Sequence, residues 1–199
     1  MIAVIDTETS GLPITQGFNK YHHPSLINYY NSSRVIEIAY KIYNNEGNVV
    51  KQFNSLIIPD GFEINNTEIH GITYEEAKSK GICINEALST MHSDFENVEK
   101  IVAHNIYFDL NIILSECYRY GNEKLIDYFK NKPLLICTMK MGKDLMKTKK
   151  SPKLIELYEY LFDKSITQLH RALSDVEICA DCYFTIVGRE RDAKKPKIV

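Results

Sequence analysis

The stretch MIAVIDTETSG, residues 1–11, decides how the rest of this chain is read. Met1 to Ile5 form a short apolar run with β-branched members, and the run stops abruptly at Asp-Thr-Glu-Thr-Ser-Gly. Such a run, bounded by turn-forming residues, reads as a buried strand opening into a loop. Asp6 and Glu8 alternate past its end, so both side chains project on the same side of an extended segment, one pleat apart. Two carboxylates held that close repel unless a cation lies between them, and hard oxygen ligands in number suit Mg2+ or Mn2+.

Outward from this strand, residues 34–43 and 49–58 are rich in β-branched and aromatic residues around the turn sequence NNEGN, which predicts an antiparallel hairpin. Helical spacing follows over 73–80 and 84–98, with Thr73 and Glu76 as a capping box and Asn85 as a possible second cap. Lys100–Ala103 reads as a short strand ending at His104-Asn105, and 107–120 as a helix closed by Gly121. Leu134–Cys137 after Pro133 is another buried strand. Residues 154–161, introduced by Ser151-Pro152, and 172–187, ended by Gly188, are helices. A strand, a hairpin, then strands alternating with helices imply an α/β fold with a mixed sheet covered by helices. A single domain over 1–188 with a basic, frayed tail at 189–199 fits this order. Residues 11–33, polar and carrying Tyr21, Tyr29 and Tyr30, are too long for an ordinary connection. They read either as a functional loop that folds over a site to stack on bases or as padding.

With 44% hydrophobic and 25% charged residues in 199, the composition is that of one soluble globular domain rather than a disordered chain. The formal net charge of −2 argues against binding nucleic acid through bulk positive charge, but leaves room for a local basic patch. Five scattered cysteines, an odd number, point to a reducing compartment. Cys179 and Cys182 make a CxxC without a second pair, so they read as helix residues rather than a zinc or redox site. The N-terminus lacks the marks of a leader and no apolar run approaches the ~20 residues that span a bilayer. A cytoplasmic, soluble protein without membrane contact is the expectation, its oligomeric state unknown.

In open α/β sheets, chemistry collects where strands end and loops begin. Besides Asp6 and Glu8, Asp109 falls in the first turn of the helix after strand Lys100–Ala103. Asp175 falls near the start of the last helix, after His170 in the segment HRALSD. Singly, Asp109 and Asp175 are also what a helix dipole favours in a first turn; four such carboxylates together read as a site. His104 and Asn105 stand either as turn residues or as substrate contacts, and Phe108 as core or as a stacking platform. His22, His23, His70 and His92 have no metal-site spacing and read as surface or packing residues. Lys140, Lys143, Lys147, Lys149, Lys150 and Lys153 form a basic stretch that is either a solvated face or a phosphate track.

Asp6-x-Glu8 after a first strand, His104-Asn105-x-x-Phe108-Asp109, and His170 five residues before Asp175 resemble the three motifs of the DEDDh (DnaQ-like) group of 3′→5′ exonucleases. That group is typified by the proofreading epsilon subunit of bacterial DNA polymerase III. Lesser marks agree: RVIEIA at 34–39, IHGIT at 69–73, and Pro152-Lys153-Leu154-x-x-Leu157-Tyr158. The resemblance covers nearly the whole chain and implies a ribonuclease H-like fold with a five-stranded mixed sheet flanked by helices. It also implies a two-metal mechanism with two Mg2+ ions, Mn2+ being a substitute. Asp6, Glu8 and Asp175 would hold the ion that activates the attacking water. Asp6, with Asp109 approaching through water, would hold the ion at the leaving 3′ oxygen, and His170 would be the general base. It places Thr7, Thr9, Leu12, His104, Asn105 and Phe108 around the substrate, a DNA 3′ end or alternatively an RNA one. Proofreading would take a DNA polymerase in trans. Many relatives carry an acidic residue where this chain has Cys137 before Thr138, a departure that leaves the carboxylates untouched. A binding module that has lost catalysis is the alternative from another class.

Overall fold

The strand at the start of the chain, β1 (Ile2–Thr9), lies at the centre of the sheet. Its neighbours are β2 (Val35–Tyr43) on one side and β4 (Lys100–Ala103) on the other, with β3 (Val49–Leu56) and β5 (Leu134–Cys137) at the edges, giving the order β3-β2-β1-β4-β5. β2 runs antiparallel to both of its neighbours, β1 and β3, whereas β4 runs parallel to β1 and β5 parallel to β4. In this computed structural model residues 1–131, 133–166 and 170–193 are described, the side chains of 189–193 excepted.

The two-residue period of the strands sorts the core. Ala3 and Ile5 of β1, with Ile101 and Ala103 of β4, face a layer built by α3 (Ile84–Asp94), α4 (Ile106–Tyr120) and α5 (Glu123–Asn131). Val4 and Val102 face the opposite layer, where Leu157 of α7 (Leu154–Phe162) and Val176, Cys179 and Tyr183 of α8 (Ala172–Ala193) close over them. Each fully buried aliphatic or aromatic side chain in these layers contributes about 1.5–3 kcal/mol. Asp6 and Glu8, two and four residues beyond Val4, therefore lie on the α8 face of the sheet.

The sequence reading ends β1 at Ile5, but the strand runs on to Thr9. Pairing with β2 holds the polar residues extended, Asp6 opposite Ala39 and Glu8 opposite Glu37, and the ladder breaks register only between Glu8 and Thr9. Thr73 does cap α2 (Tyr74–Lys80), accepting from the Glu76 N–H at 3.1 Å. Asn85 caps nothing: Cys83 is the residue before α3 and makes no side-chain cap bond. Gly188 does not end α8, because it is itself helical; glycine stops a helix when it turns left-handed and otherwise only weakens it by about 1 kcal/mol. Tail residues 189–193 thus continue the helix, and 194–199 lie outside the described residues.

Among the described residues, three α-helices escape the sequence reading, α1 (Thr67–His70), α5 and α6 (Thr138–Met146), as does one 3-10 turn at Ile27–Tyr30. In α6 the lysines and Gly142 mask the pattern. Gly142 allows a close approach, since a Cβ at that position would lie 2.9 Å from Leu157 Cδ1. Residues 11–33 are folded against α4. Tyr30 is fully buried, with its hydroxyl donating to the His22 carbonyl, and Arg119 of α4 donates to the Ile27 carbonyl at 3.2 Å and to Asn31 Oδ1 at 2.9 Å.

Candidate active site

Each of the four carboxylates is delivered by a local device. Strand pairing aims Asp6 and Glu8 together toward α8. Asp109 sits in the first turn of α4, which starts from Asn105 in a left-handed conformation (φ 75°), a geometry asparagine tolerates better than most residues. Both the Thr7 N–H (3.0 Å) and the Thr7 hydroxyl (2.9 Å) donate to Asp109 Oδ1, tying α4 to β1. Asp175 lies in the first turn of α8 and is buried, as is Asp109. Glu8, His170 and Asp175 bring one possible ligand atom each within 4.8 Å of one another.

The entrance to α8 is latched by Glu37, which is fully buried on β2 opposite Glu8. Its carboxylate accepts from Arg171 Nε (3.0 Å) and Nη2 (2.8 Å) and from the Ala172 N–H (3.0 Å). His170 stands immediately before this latch in a left-handed conformation, φ 47°, which costs about 1–2 kcal/mol for an L-residue. The latch over-determines a strained residue whose ring joins the carboxylates, as is common at functional sites.

The electrostatics follow from the crowding. Asp6 is pushed well above the usual carboxylate range, by burial first and then by Asp109, Asp175 and Glu8. Burial followed by Asp175 lifts Glu8 from 4.5 to about 8, and burial lifts Asp109 from 3.8 to about 7 against the two Thr7 bonds. Arg171, a cation whose field reaches Glu8, is already committed to Glu37. Oxygen ligands that repel one another beside a guanidinium engaged elsewhere fit one or more hard divalent cations.

The remaining residues read from sequence take varied places. Thr7 holds Asp109, and the Thr9 hydroxyl donates to the Gly11 carbonyl at 2.8 Å, shaping the turn after β1. Leu12, Asn105 and Phe108 line one cavity of about 250 Å3 with Phe18 and Tyr21 from the loop over residues 11–33. Leu12 (76% exposed) and Phe18 (80%) leave its rim apolar and open, and Tyr21 meets Phe108 edge-on at 6.5 Å. His104 is engaged elsewhere. Its Nε2 donates to the Pro152 carbonyl (3.0 Å), so the neutral ring accepts at Nδ1 from the Thr138 hydroxyl (3.0 Å). Burial lowers its pKa to about 4, in keeping with a neutral structural imidazole. His70, buried, likewise bonds the Asn65 carbonyl and the Ile72 N–H, a packing role. Sequence reasoning missed Glu37 and Arg171 as parts of the site. The signal was their position, in the strand opposite Asp6-x-Glu8 and directly after His170.

Carboxylates gathered where the central strands of a mixed α/β sheet give way to helices mark a nuclease domain, and comparison with known proteins sharpens this. The family model for RNase T, described as Exonuclease, matches residues 3–183, and the chain belongs to that exonuclease family. DNA polymerase III subunit epsilon from Rickettsia felis and that from Rickettsia conorii are each 25% identical over 195 residues, covering 96% of this chain and 76% of theirs. Among solved structures, exonuclease X in complex with 5′ overhanging duplex DNA is similar with a TM-score of 0.62 and 24% identity, over 96% of this chain and 93% of that one. E. coli exonuclease I in complex with a dA16 oligonucleotide gives a TM-score of 0.71 at 19% identity. This chain, 96% covered, spans 41% of it. Pop2p of S. pombe, in its Mg2+- and Mn2+-bound form, gives 0.70 at 17% identity, over 98% of this chain and 85% of that one. The fold is ribonuclease H-like, as these neighbours share it. No helix among the described residues is long and apolar enough to cross a membrane.

Proposed function

We propose that this domain is a DEDDh 3′→5′ exonuclease that hydrolyses the terminal phosphodiester of DNA, at single-stranded or frayed 3′ ends, to release nucleoside 5′-monophosphates. The observation that carries the reading is the convergence of Glu8, His170 and Asp175 within 4.8 Å, with Asp6 and Asp109 in the same electrostatic field. In support of DNA rather than RNA stand the names of the Rickettsia relatives, the 5′ overhanging duplex DNA bound by exonuclease X and the dA16 oligonucleotide bound by exonuclease I. A polymerase partner in trans is consistent with the same relatives.

Two Mg2+ ions, or Mn2+ in their place, held by Asp6, Glu8, Asp109 and Asp175, would supply an activated water and a stabilised leaving oxygen. The chain's own residues do the rest. The cavity of Leu12, Asn105 and Phe108 seats the terminal nucleoside with its base against apolar and aromatic side chains. Thr7 fixes the Asp109 carboxylate, and the Glu37 latch fixes the backbone that carries His170. A ring nitrogen of His170 takes the proton of the attacking water, the role a positioned imidazole most often fills in general base catalysis. His104 anchors the loop before α4.

The test is an oligonucleotide labelled at its 5′ end, incubated with Mg2+ or with EDTA. Shortening from the 3′ end one nucleotide at a time, abolished by EDTA, is expected; shortening from the 5′ end or indifference to EDTA would refute the assignment. Replacing His170 with Ala should lower kcat by about 10²–10⁴-fold with little change in fold stability. Near-normal turnover would remove it from the role of base.

A further inference from the structure

Between β5 and α7 the chain carries six lysines, Lys140, Lys143, Lys147, Lys149, Lys150 and Lys153, against a single aspartate, Asp144, in a protein whose net charge is −2. We propose that this segment, residues 138–153, is a rigid phosphate-binding arm that holds a single strand of nucleic acid several nucleotides upstream of the end being cleaved. The inference rests on the exonuclease reading for which end is meant, but its charge and geometry stand apart from the carboxylates.

The arm is fixed to the site at both of its ends by one residue. His104, next to Asn105 of the cavity wall, accepts from the Thr138 hydroxyl at the arm's start and donates to the Pro152 carbonyl near its finish, both at 3.0 Å. Gly142 lets α6 sit close on α7, its position within 2.9–3.1 Å of Leu157 and Pro152 atoms if a Cβ were present. Met139 and Gly142 are turned inward and buried, Lys140 is exposed on the other side of α6 with Lys143 half-buried beside it, and Lys147, left-handed at φ 52°, closes the helix and is exposed. All six but Lys143 are exposed, and none enters an ion pair among the described residues. Surface lysines satisfied by neighbouring carboxylates would belong to a solvated face; these are left open to an anion.

A continuous path joins this arm to the terminal cavity. The 250 Å3 cavity shares Asn19 and Tyr21 with a second hollow of about 410 Å3, whose wall adds His22, His23 and Tyr107. Tyr107 is 39% exposed, and Lys140 Nζ lies over its ring, 4.6 Å from the centroid. Aromatic and imidazole faces followed by Lys140, with the other lysines of the arm next along the chain, suit stacked bases and a trailing phosphodiester backbone. A protein acidic overall would thereby gain affinity where the strand passes and nowhere else.

The test is fluorescence anisotropy with labelled single-stranded DNA in EDTA, where binding is read without cleavage, across a range of salt concentrations. The wild type is expected to bind a strand of about 12 nucleotides more tightly than one of about 4, as more phosphates are neutralised along the longer one. The triple variant Lys147→Glu, Lys149→Glu, Lys150→Glu should lose about 10-fold or more in affinity for the longer strand. The slope of log affinity against log salt should flatten by about 2, near 0.7 for each phosphate that no longer meets an ammonium group. A control triple of equal charge change on exposed lysines elsewhere, Lys78→Glu, Lys124→Glu, Lys130→Glu, should keep the wild-type slope. Equal losses in both triples, or no loss in the arm variant, would overturn the proposal. If the Glu variant melts early, the Gln triple at 147, 149 and 150 gives the same readout with a smaller effect. Absence of hydrolysis by the wild type would sink the exonuclease reading while leaving this binding result to be judged by itself.

Discussion

Two clusters of buried charge, one at the start of β2 and one at the end of β1, are built on opposite plans. In the first, Arg34 reaches Glu116 of α4 through two bonds of 2.7 and 3.0 Å. The Val35 N–H donates to the same carboxylate at 3.2 Å, and Arg34 Nη2 also donates to the Tyr120 hydroxyl at 3.0 Å. Both side chains are almost wholly buried. In the second, Asp6, Glu8 and Asp109 crowd together beside Asp175, and the pKa values of those three are raised while the neighbouring Arg171 is spent on Glu37. In the first cluster the carboxylate is met by a guanidinium and serves the fold; in the second, on the function proposed above, a divalent cation completes the balance. Burial alone does not separate the two, whereas the balance of counter-charge does.

The contrast can be broken from either side. Glu8→Gln removes one repelling charge. Nuclease activity should fall by about 10⁴-fold, the several kcal/mol a bound cation supplies to the transition state, while the melting temperature in EDTA holds or rises. A lower melting temperature in EDTA would mean the carboxylates are not in conflict. Glu116→Ala does the reverse, stranding Arg34 in the interior, and should cost about 3–5 kcal/mol in urea unfolding with the response to Mn2+ intact. A loss below about 1 kcal/mol would show that the pair is not the fold's internal balance. Glu37→Gln acts where the two plans meet, since that residue commits its charge to Arg171 and so places His170. Its kcat should drop by up to about 10²-fold with KM nearly unchanged, as misplacement of a reacting group by ~1 Å does. The pH profile should shift relative to that of the parent, which a purely structural loss would not produce.

How much of this was legible in the chain follows from the range over which each signal acts. Lys100–Ala103 and Leu134–Cys137 appear in the structure at the limits read from sequence, because each is a short apolar run with polar residues or proline at its ends. Only the first is buried as expected: β5 lies at the sheet edge, where Leu134 is left 59% exposed and only Cys137 is buried. β1 is longer than its apolar run, since its last four residues are held by backbone pairing to β2 rather than by burial of apolar side chains. Asp6, Glu8, Asp109 and Asp175 could be picked out because each directly follows an apolar run that reads as a strand or falls in a first helical turn. Thr7 as a tether, the two hydrogen bonds of His104 to Thr138 and Pro152, and the latch of Glu37 on Arg171 could not. Each links positions separated by 34 to 134 residues, and no local pattern specifies such a partner. The loop over 11–33 shows the same limit: Tyr21, Tyr29 and Tyr30 look alike in sequence. Tyr30 is core, Tyr29 stacks on His22 at 3.6 Å, and Tyr21 lines the cavity.

The central claim, a carboxylate cluster completed by a divalent cation, meets its most direct test in thermal melting between pH 5 and 8.5, with EDTA or with Mn2+. Folding raises Glu8 from 4.5 to about 8 and Asp109 from 3.8 to about 7, so across that span the folded, metal-free protein holds more protons than the unfolded chain. Its stability must therefore fall as pH rises toward 8. Mn2+ should restore the melting temperature by an increment that grows with pH, as protons cease to compete for the ligands. A metal-free melting temperature that is flat or rising from pH 5 to 8, with no response to Mn2+ at any pH, would contradict the account.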